Sequence, residues 1–565
     1  MKFNEYEYIR PDIETIKIQY TELIDKFNNS QNGDEQYEVI KTINNLSKNI
    51  DSMLNLVAIR HSINTADEFY DEENEYMDNA SPIFQGLTVE FYKSLINSKF
   101  KEELKKKIAP QYFTKAELEI KTFSDEVLND LQEENKLQSE YDKLISSAKI
   151  NYDGKVLNLS QMQPYMQSSS RQTRKEAHEK YSGFFKENIE KFDKIFDDMV
   201  KTRNKIAIKL GYKNFVELGY IRLHRSDYNA QNVENYRNQV LKYVVPLSVE
   251  LRKRQAKRLG LRDFKYYDKD LDFTNGNAKP KGNKDWMVNN AKKMYSELSP
   301  ETREFFNYMV EKDLFDLETK PNKQSGGYCT FIQDYKSPFI FSNFNGTSDD
   351  VDTLTHEAGH AFQVYESKDI DIPELIFPTL EACEIHSMSM EFITWPWMNL
   401  FFEENELKYK FSHLSSSMLF IPYGVTVDEF QHKVYENPNM TPEERRGLWR
   451  EIEKKYLPWI DYGNNSFYED GGYWFRQGHI FGNPFYYIDY TLAQVCSFQY
   501  WVKFNLGDKE QAWNEYLHLC KIGGTKPFLE LLKQGNLKSP FEDSTIEAVI
   551  KPIKTWLDEV DDTKL

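Results

Sequence analysis

The stretch Val351-Asp352-Thr353-Leu354-Thr355-His356-Glu357-Ala358-Gly359-His360-Ala361-Phe362-Gln363-Val364-Tyr365 carries two patterns at once. Val351, Leu354, Ala358, Ala361, Phe362 and Tyr365 recur at helical spacing, which predicts an amphipathic α-helix. Thr347 or Ser348 can begin it, with Asp349 and Asp350 setting negative charge beside the unpaired N–H groups of its first turn. Residues four apart on a helix lie one above the other. His356 and His360 can therefore aim two imidazoles at one ion, the H-E-x-x-H arrangement that zinc accepts at about 2.0 to 2.1 Å. With 10 histidines in 565 residues, chance supplies about 0.02 such matches.

A catalytic zinc site needs a third protein ligand and one open position. Glu381, Glu384 and Glu391 compete for that role, all within Pro378–Phe392, which reads as a helix stopped near Pro396. Periodicity does not choose among them. The metzincin continuation is excluded, because Gln363 stands where that motif has Gly and Glu366 where it has a third His.

Upstream, Gly326–Ile332 and Ser337–Phe344 are short, aromatic and bounded by Gly or Pro, so they read as strands of a small sheet. The first 270 residues read as long polar helices, with Pro only at Pro11, Pro82, Pro110, Pro164 and Pro246. Phe185, Ile189, Phe192, Ile195, Phe196 and Met199 form a packing stripe there. Thr274–Asn283 is a loop, and no fixed-period repeat is visible. The class is mainly α with a minor β-sheet next to the H-E-x-x-H helix, and the length calls for two lobes or more.

Lys plus Arg number 72 against 90 Asp plus Glu, and the net charge of −18 opposes binding to nucleic acid or anionic lipid. A mean hydropathy of −0.70 and the lack of a long apolar run leave no membrane span. The acidic start Met1-Lys2-Phe3-Asn4-Glu5 does not read as an export signal, so the cytoplasm is expected. Cys329, Cys383, Cys496 and Cys520 lie far apart without a C-x-x-C pair and are expected to be free thiols.

Asn343-Phe344-Asn345-Gly346-Thr347, the H-E-x-x-H stretch, and Glu384 within Cys383-Glu384-Ile385-His386-Ser387-Met388-Ser389-Met390-Glu391 resemble the M3 family of zinc oligopeptidases, close to oligoendopeptidase F and Pz-peptidase. Lys209–Phe215, Gly478–Phe481 and Phe485–Tyr490 extend the resemblance over about residues 170 to 530. The segment before that matches in helical character alone, which divides the chain into an N-terminal helical region, 1–170, and a metallopeptidase region, 171–565.

The resemblance implies a two-lobed helical fold around a deep channel, with one zinc per chain on its floor and short peptides as substrates. It implies His356, His360 and Glu384 as metal ligands, Glu384 standing 24 residues past His360. It also implies His479, Tyr487 and Tyr490 as catalytic residues, with Tyr486 close behind. Asp352, where the family commonly has an acidic residue, is expected either to hold the outer N–H of His356 or to be a plain first-turn acid.

Beside such a metal, Glu357 takes the proton of the attacking water and later returns protons to the leaving amine. The C-terminal aromatic segment is the expected source of oxyanion donors. The glycines from Gly471 to Gly482 are expected either to let that segment move as a lid or to form an ordinary surface loop, and Phe339–Asn343 either to offer a strand edge to an extended peptide or to be plain sheet. His61, His178, His224, His386, His413, His432 and His518 lack ligand spacing and read as structural. The implied activity is internal cleavage of oligopeptides. The alternatives are a helical zinc carboxypeptidase, which needs a basic pocket for the terminal carboxylate, and a silent peptide-binding protein of the same fold.

Overall fold

The computed structural model describes residues 1–565, and its buried apolar side chains gather into two bodies. The smaller is built between Ile16 and Ala116 by long helices such as α1 (Gly33–Ile63), which buries Val39, Ile40 and Ile43 along one face. Asn32 caps α1 by accepting from Glu35 N. Ile372 and Leu375, from far along the chain, complete this body.

The larger body takes in α2 (Leu128–Ser146), α3 (Ile189–Lys209) and most of the chain beyond Lys209. Asn188 splits the expected Phe185–Met199 stripe between two consecutive helices, and Phe192, Ile195, Phe196 and Met199 form the buried face of the second. No helix is long and apolar enough to cross a membrane. All four cysteines are free.

A hairpin of β1 (Ile150–Tyr152) and β2 (Lys155–Leu157) turns through Asp153-Gly154, both at positive φ. The larger sheet has β3 (Phe315–Glu318), β4 (Tyr328–Ile332) and β5 (Ser337–Phe344) in the order β3-β5-β4, with β5 parallel to β3 and antiparallel to β4. Phe339–Asn343 is therefore not an edge. It lies on the central strand, because β3, a four-residue strand too short to stand out in the sequence, pairs with its other side. The edge nearest the site is β4.

Gly346, at φ +86°, turns the chain out of β5 into α4 (Asp349–Ser367). The Asp350 carboxylate ties this turn by accepting from Asn345 N and Gly346 N, 2.8 Å each. α5 (Leu380–Ile393) crosses α4 and is enclosed by α6 (Glu406–Glu436) and α7 (Tyr487–Leu506), so that all of its residues except Leu380 and Glu391 are buried. A helix covered on every side has no polar face, which is why spacing alone did not single out one of its glutamates.

Candidate active site

The crossing of α4 and α5 is set by Gly359. A Cβ on that residue would lie 2.6 Å from Ser387 Cα and 2.7 Å from His386 O, both backbone atoms of α5. The close approach brings Glu384, 1% exposed, onto the two motif histidines: its Oε2 lies 3.2 Å from His356 Nε2 and 3.3 Å from His360 Nε2. His356, His360 and Glu384 form the one His/Cys/Asp/Glu group in the molecule whose donor atoms all fall within 4.8 Å of one another.

Burial raises the Glu384 carboxyl, but His360 and His356 outweigh it and hold it well below its ordinary range. Burial lowers His356, and Glu384 with Glu391 reverses that strongly. This is a negative pocket built around two imidazoles, suited to a dication.

The other two glutamates of α5 take other work. Glu381 is fully buried with neither carboxylate oxygen hydrogen-bonded, and burial, then Asp489, push it up to about 8. Glu391 holds the outer nitrogen of His356, Nδ1 to Oε1 at 2.7 Å. Asp352, read either for that position or as a plain first-turn acid, instead accepts from the Tyr409 hydroxyl. One turn ahead on its own helix, Asp352 faces α6, whereas Glu391 reaches across from α5.

The bond pattern at Glu391 also settles a tautomer. Trp395 Nε1–H, which can only donate, meets His413 Nδ1 at 3.0 Å. His413 Nε2–H then donates to Glu391 Oε2 at 2.7 Å, and Oε1 accepts from His356 Nδ1–H. With Nδ1 committed to Glu391, His356 presents Nε2 to Glu384 and His360. His413 was read as structural from its isolation in sequence. No spacing rule links a residue on α6 to one on α4.

A cavity of about 650 Å³ opens above this cluster. α2 lines it with Gln138, Tyr141, Asp142 and Ile145, the sheet with Gly326–Cys329, and the C-terminal segment with Arg476–His479, Tyr486 and Tyr490. Glu357 lines it too, and its Oε2 has no hydrogen-bond partner. Burial raises Glu357 and the two histidines partly offset this, so its carboxyl sits above the ordinary range. A Cβ at Gly327, the residue before β4, would lie 3.0 Å from Thr353 Cγ2 and 3.3 Å from Phe341 O, so the chain passes close to the motif helix there.

Of the C-terminal candidates, His479 Nε2 lies 3.1 Å from the Tyr490 hydroxyl, and the Tyr486 hydroxyl donates to Glu384 Oε1. Tyr487 does not line the cavity. It packs edge-on against Phe420, Tyr423 and the His479 ring, because it is the first residue of α7 and points a quarter-turn away from Tyr486. The structure thus brings Tyr486 to the cluster of His356, His360 and Glu384 and leaves Tyr487 behind it.

The segment expected to move is closely packed in this structure. Tyr473, Trp474, Phe475, Ile480 and Phe481 are buried. Cβ atoms at Gly471, Gly472 and Gly482 would fall 1.8 Å from Arg446 O, 2.3 Å from Phe467 and 2.4 Å from Gln138. These three glycines admit close neighbours.

The profile of peptidase family M3 matches residues 164–550, and that of the peptidase M3 N-terminal domain matches residues 3–123. This chain belongs to peptidase family M3. It is accordingly a metallopeptidase, a hydrolase of peptide bonds. Over 100% of both chains it superposes on Pz peptidase A, solved with an inhibitor, at a TM-score of 0.99 and 54% identity. A Bacillus anthracis str. Ames structure described as an oligoendopeptidase F gives 0.94 and 54%, covering 100% of this chain and 99% of that one.

Among curated M3 relatives, oligoendopeptidase F of Lactococcus lactis subsp. cremoris is 24% identical over 411 residues, 70% of this chain and 65% of its own length. Oligopeptidase PepF of Bacillus subtilis (strain 168) is 24% identical over 292 residues, 49% of this chain and 41% of its own. The chain thus aligns with less than two thirds of the length of either.

Proposed function

We propose that this M3 chain is a zinc endopeptidase that hydrolyses internal bonds of short peptides held in the cavity between its helical walls. The observation that carries this reading is the spacing of the donor atoms. Two ligands each about 2.0 to 2.1 Å from a tetrahedral ion lie about 3.3 Å apart, and Glu384 Oε2 stands 3.2 and 3.3 Å from the two histidine nitrogens. A zinc held by His356, His360 and Glu384 supplies Lewis acidity to a water and to the scissile carbonyl.

Everything else is done by the chain. Glu357, with one carboxylate oxygen unpartnered and its pKa raised, accepts the proton of the water and passes it to the leaving amine. Tyr486 holds the outer oxygen of Glu384, and Glu391 orients His356.

Tyr490 is aimed by a relay. The Tyr423 hydroxyl donates to Gln477 Oε1 at 2.9 Å, which turns Gln477 Nε2–H onto His479 Nδ1 at 2.8 Å. His479, whose pKa burial drives down to about 4, is neutral at pH 7 and donates Nε2–H to the Tyr490 oxygen. The Tyr490 O–H is freed to donate to the oxyanion. An extended substrate adds to the exposed side of β4, near Gly326–Cys329, where main-chain bonds tolerate varied side chains.

The test is an internally quenched peptide blocked at both ends, cleaved by the wild type and by Glu357→Gln. Turnover by the variant is expected to fall by roughly 10²- to 10⁴-fold with zinc content retained. Undiminished cleavage by the variant refutes the assigned base, and a wild type that only trims residues one at a time from the C-terminus of the unblocked peptide, with no internal cut, refutes the endopeptidase reading.

A further inference from the structure

We propose that Arg476 receives the C-terminal carboxylate of the bound peptide and so favours cuts a short, fixed distance from a free C-terminus; this rests on the peptidase reading above. Arg476 is the single Lys or Arg side chain lining the cavity, among Asp142, Asp349, Asp350, Glu357 and Glu384. The six buried arginines, Arg174, Arg203, Arg225, Arg237, Arg445 and Arg450, each pair with a carboxylate. Arg476 forms no ion pair.

The one side-chain hydrogen bond of Arg476 is from Nη1 to the Tyr473 hydroxyl at 3.1 Å, which leaves the rest of its planar fork to the cavity. The guanidinium is held by aromatic faces, 5.2 Å from the Tyr473 ring centroid and 5.8 Å from that of Tyr181. Its backbone neighbour is fixed as well, with Tyr141 donating to Phe475 O at 3.1 Å. A half-buried arginine fork, held by aromatic rings and without an internal anion, matches a carboxylate bidentately. Asp142 does not answer it, being taken up by Gln138 Nε2 at 3.0 Å.

The position also limits reach. Arg476 stands three residues before His479, so their Cα atoms are at most about 11 Å apart. An extended peptide rises about 3.3 Å per residue, so a carboxylate on Arg476 and a peptide group beside His479 belong to residues only a few apart. Every peptide has such a group whatever its sequence, so this contact fixes register without restricting side chains.

The experiment compares one quenched peptide with a free C-terminal acid, the same peptide as its amide, and an amidated version carrying Glu as its last residue, on the wild type, Arg476→Lys and Arg476→Gln. The wild type is expected to prefer acid to amide by roughly 10- to 100-fold in kcat/KM, mainly through KM. The ratio is expected to fall toward one in Arg476→Gln and to recover partly in Arg476→Lys.

An acid-to-amide ratio near one in the wild type, which needs no variant to fold, overturns the proposal. So does a ratio unchanged in Arg476→Gln. Preference for the Glu amide over the free acid moves the contact to side chains and overturns the terminal assignment. Absence of cleavage of all three peptides by the wild type strikes the peptidase reading itself.

Discussion

Replacing Gly359 by Ala adds one methyl group at the point where α4 and α5 touch. The new Cβ would sit 2.6 Å from Ser387 Cα and 2.7 Å from His386 O, against ordinary contact at about 3.5 to 4.0 Å. Both obstacles are backbone, so no rotamer change relieves the overlap, and α5 must move back by about 1 Å.

Glu384 travels with α5, while His356 and His360 stay on α4. Metal–ligand distances tolerate about ±0.2 Å, so the displacement removes the third ligand from reach while the helices still form. Overpacking of this kind costs about 1 to 3 kcal/mol in stability, less than the roughly 5 to 15 kcal/mol by which native proteins are stable.

The loss of zinc affinity should exceed the roughly 10- to 100-fold caused by removing an outer-shell partner. Competition for zinc with a chromophoric chelator measures it, and far-UV circular dichroism verifies the fold. A Gly359→Ala protein that folds and binds zinc as the wild type does would refute the argument that this crossing sets the site.

Tyr486 and Tyr487 are separable. Tyr486→Phe removes the donor to Glu384 Oε1 and should weaken zinc retention roughly 10-fold, whereas Tyr487→Phe should leave both zinc affinity and kcat within about twofold; equal effects in zinc titration and turnover would contradict the assignment. Acid stability should depend on Glu134, where burial raises the carboxyl but Arg222 and Arg203 pull it from its ordinary 4.5 to about 2. A depressed folded pKa stabilises above pH 4.5 and loses that contribution as pH falls toward 2, a change of about 3 kcal/mol. Urea unfolding of the wild type should therefore weaken over this window, and Glu134→Gln should show a flatter acid limb from a lower starting stability; parallel curves would count against the pairing.

Local rules carry information along one helix or one strand, and within that range this chain was legible. The apolar spacing from Val351 to Tyr365 places His356 and His360 on one face of α4 because a helix repeats every 3.6 residues. The Gly- and Pro-bounded aromatic runs mark β4 and β5. Glu384 was chosen among three glutamates by likeness to a family and not by periodicity, since α5 is enclosed on all sides and shows no polar stripe.

Contacts between elements were decided only in three dimensions. Glu391 rather than Asp352 reaches His356, because the carboxylate that meets the outer face of this imidazole comes from the helix packed across α4. Tyr486 rather than Tyr487 reaches Glu384, because adjacent helical residues differ by about 100° and the start of α7 selects between them. β4 rather than β5 is exposed at an edge, because β3 arrives from elsewhere in the chain. Spacing in sequence determines which side chains share a surface; the docking of surfaces, set at close points such as Gly359, determines which of them meet.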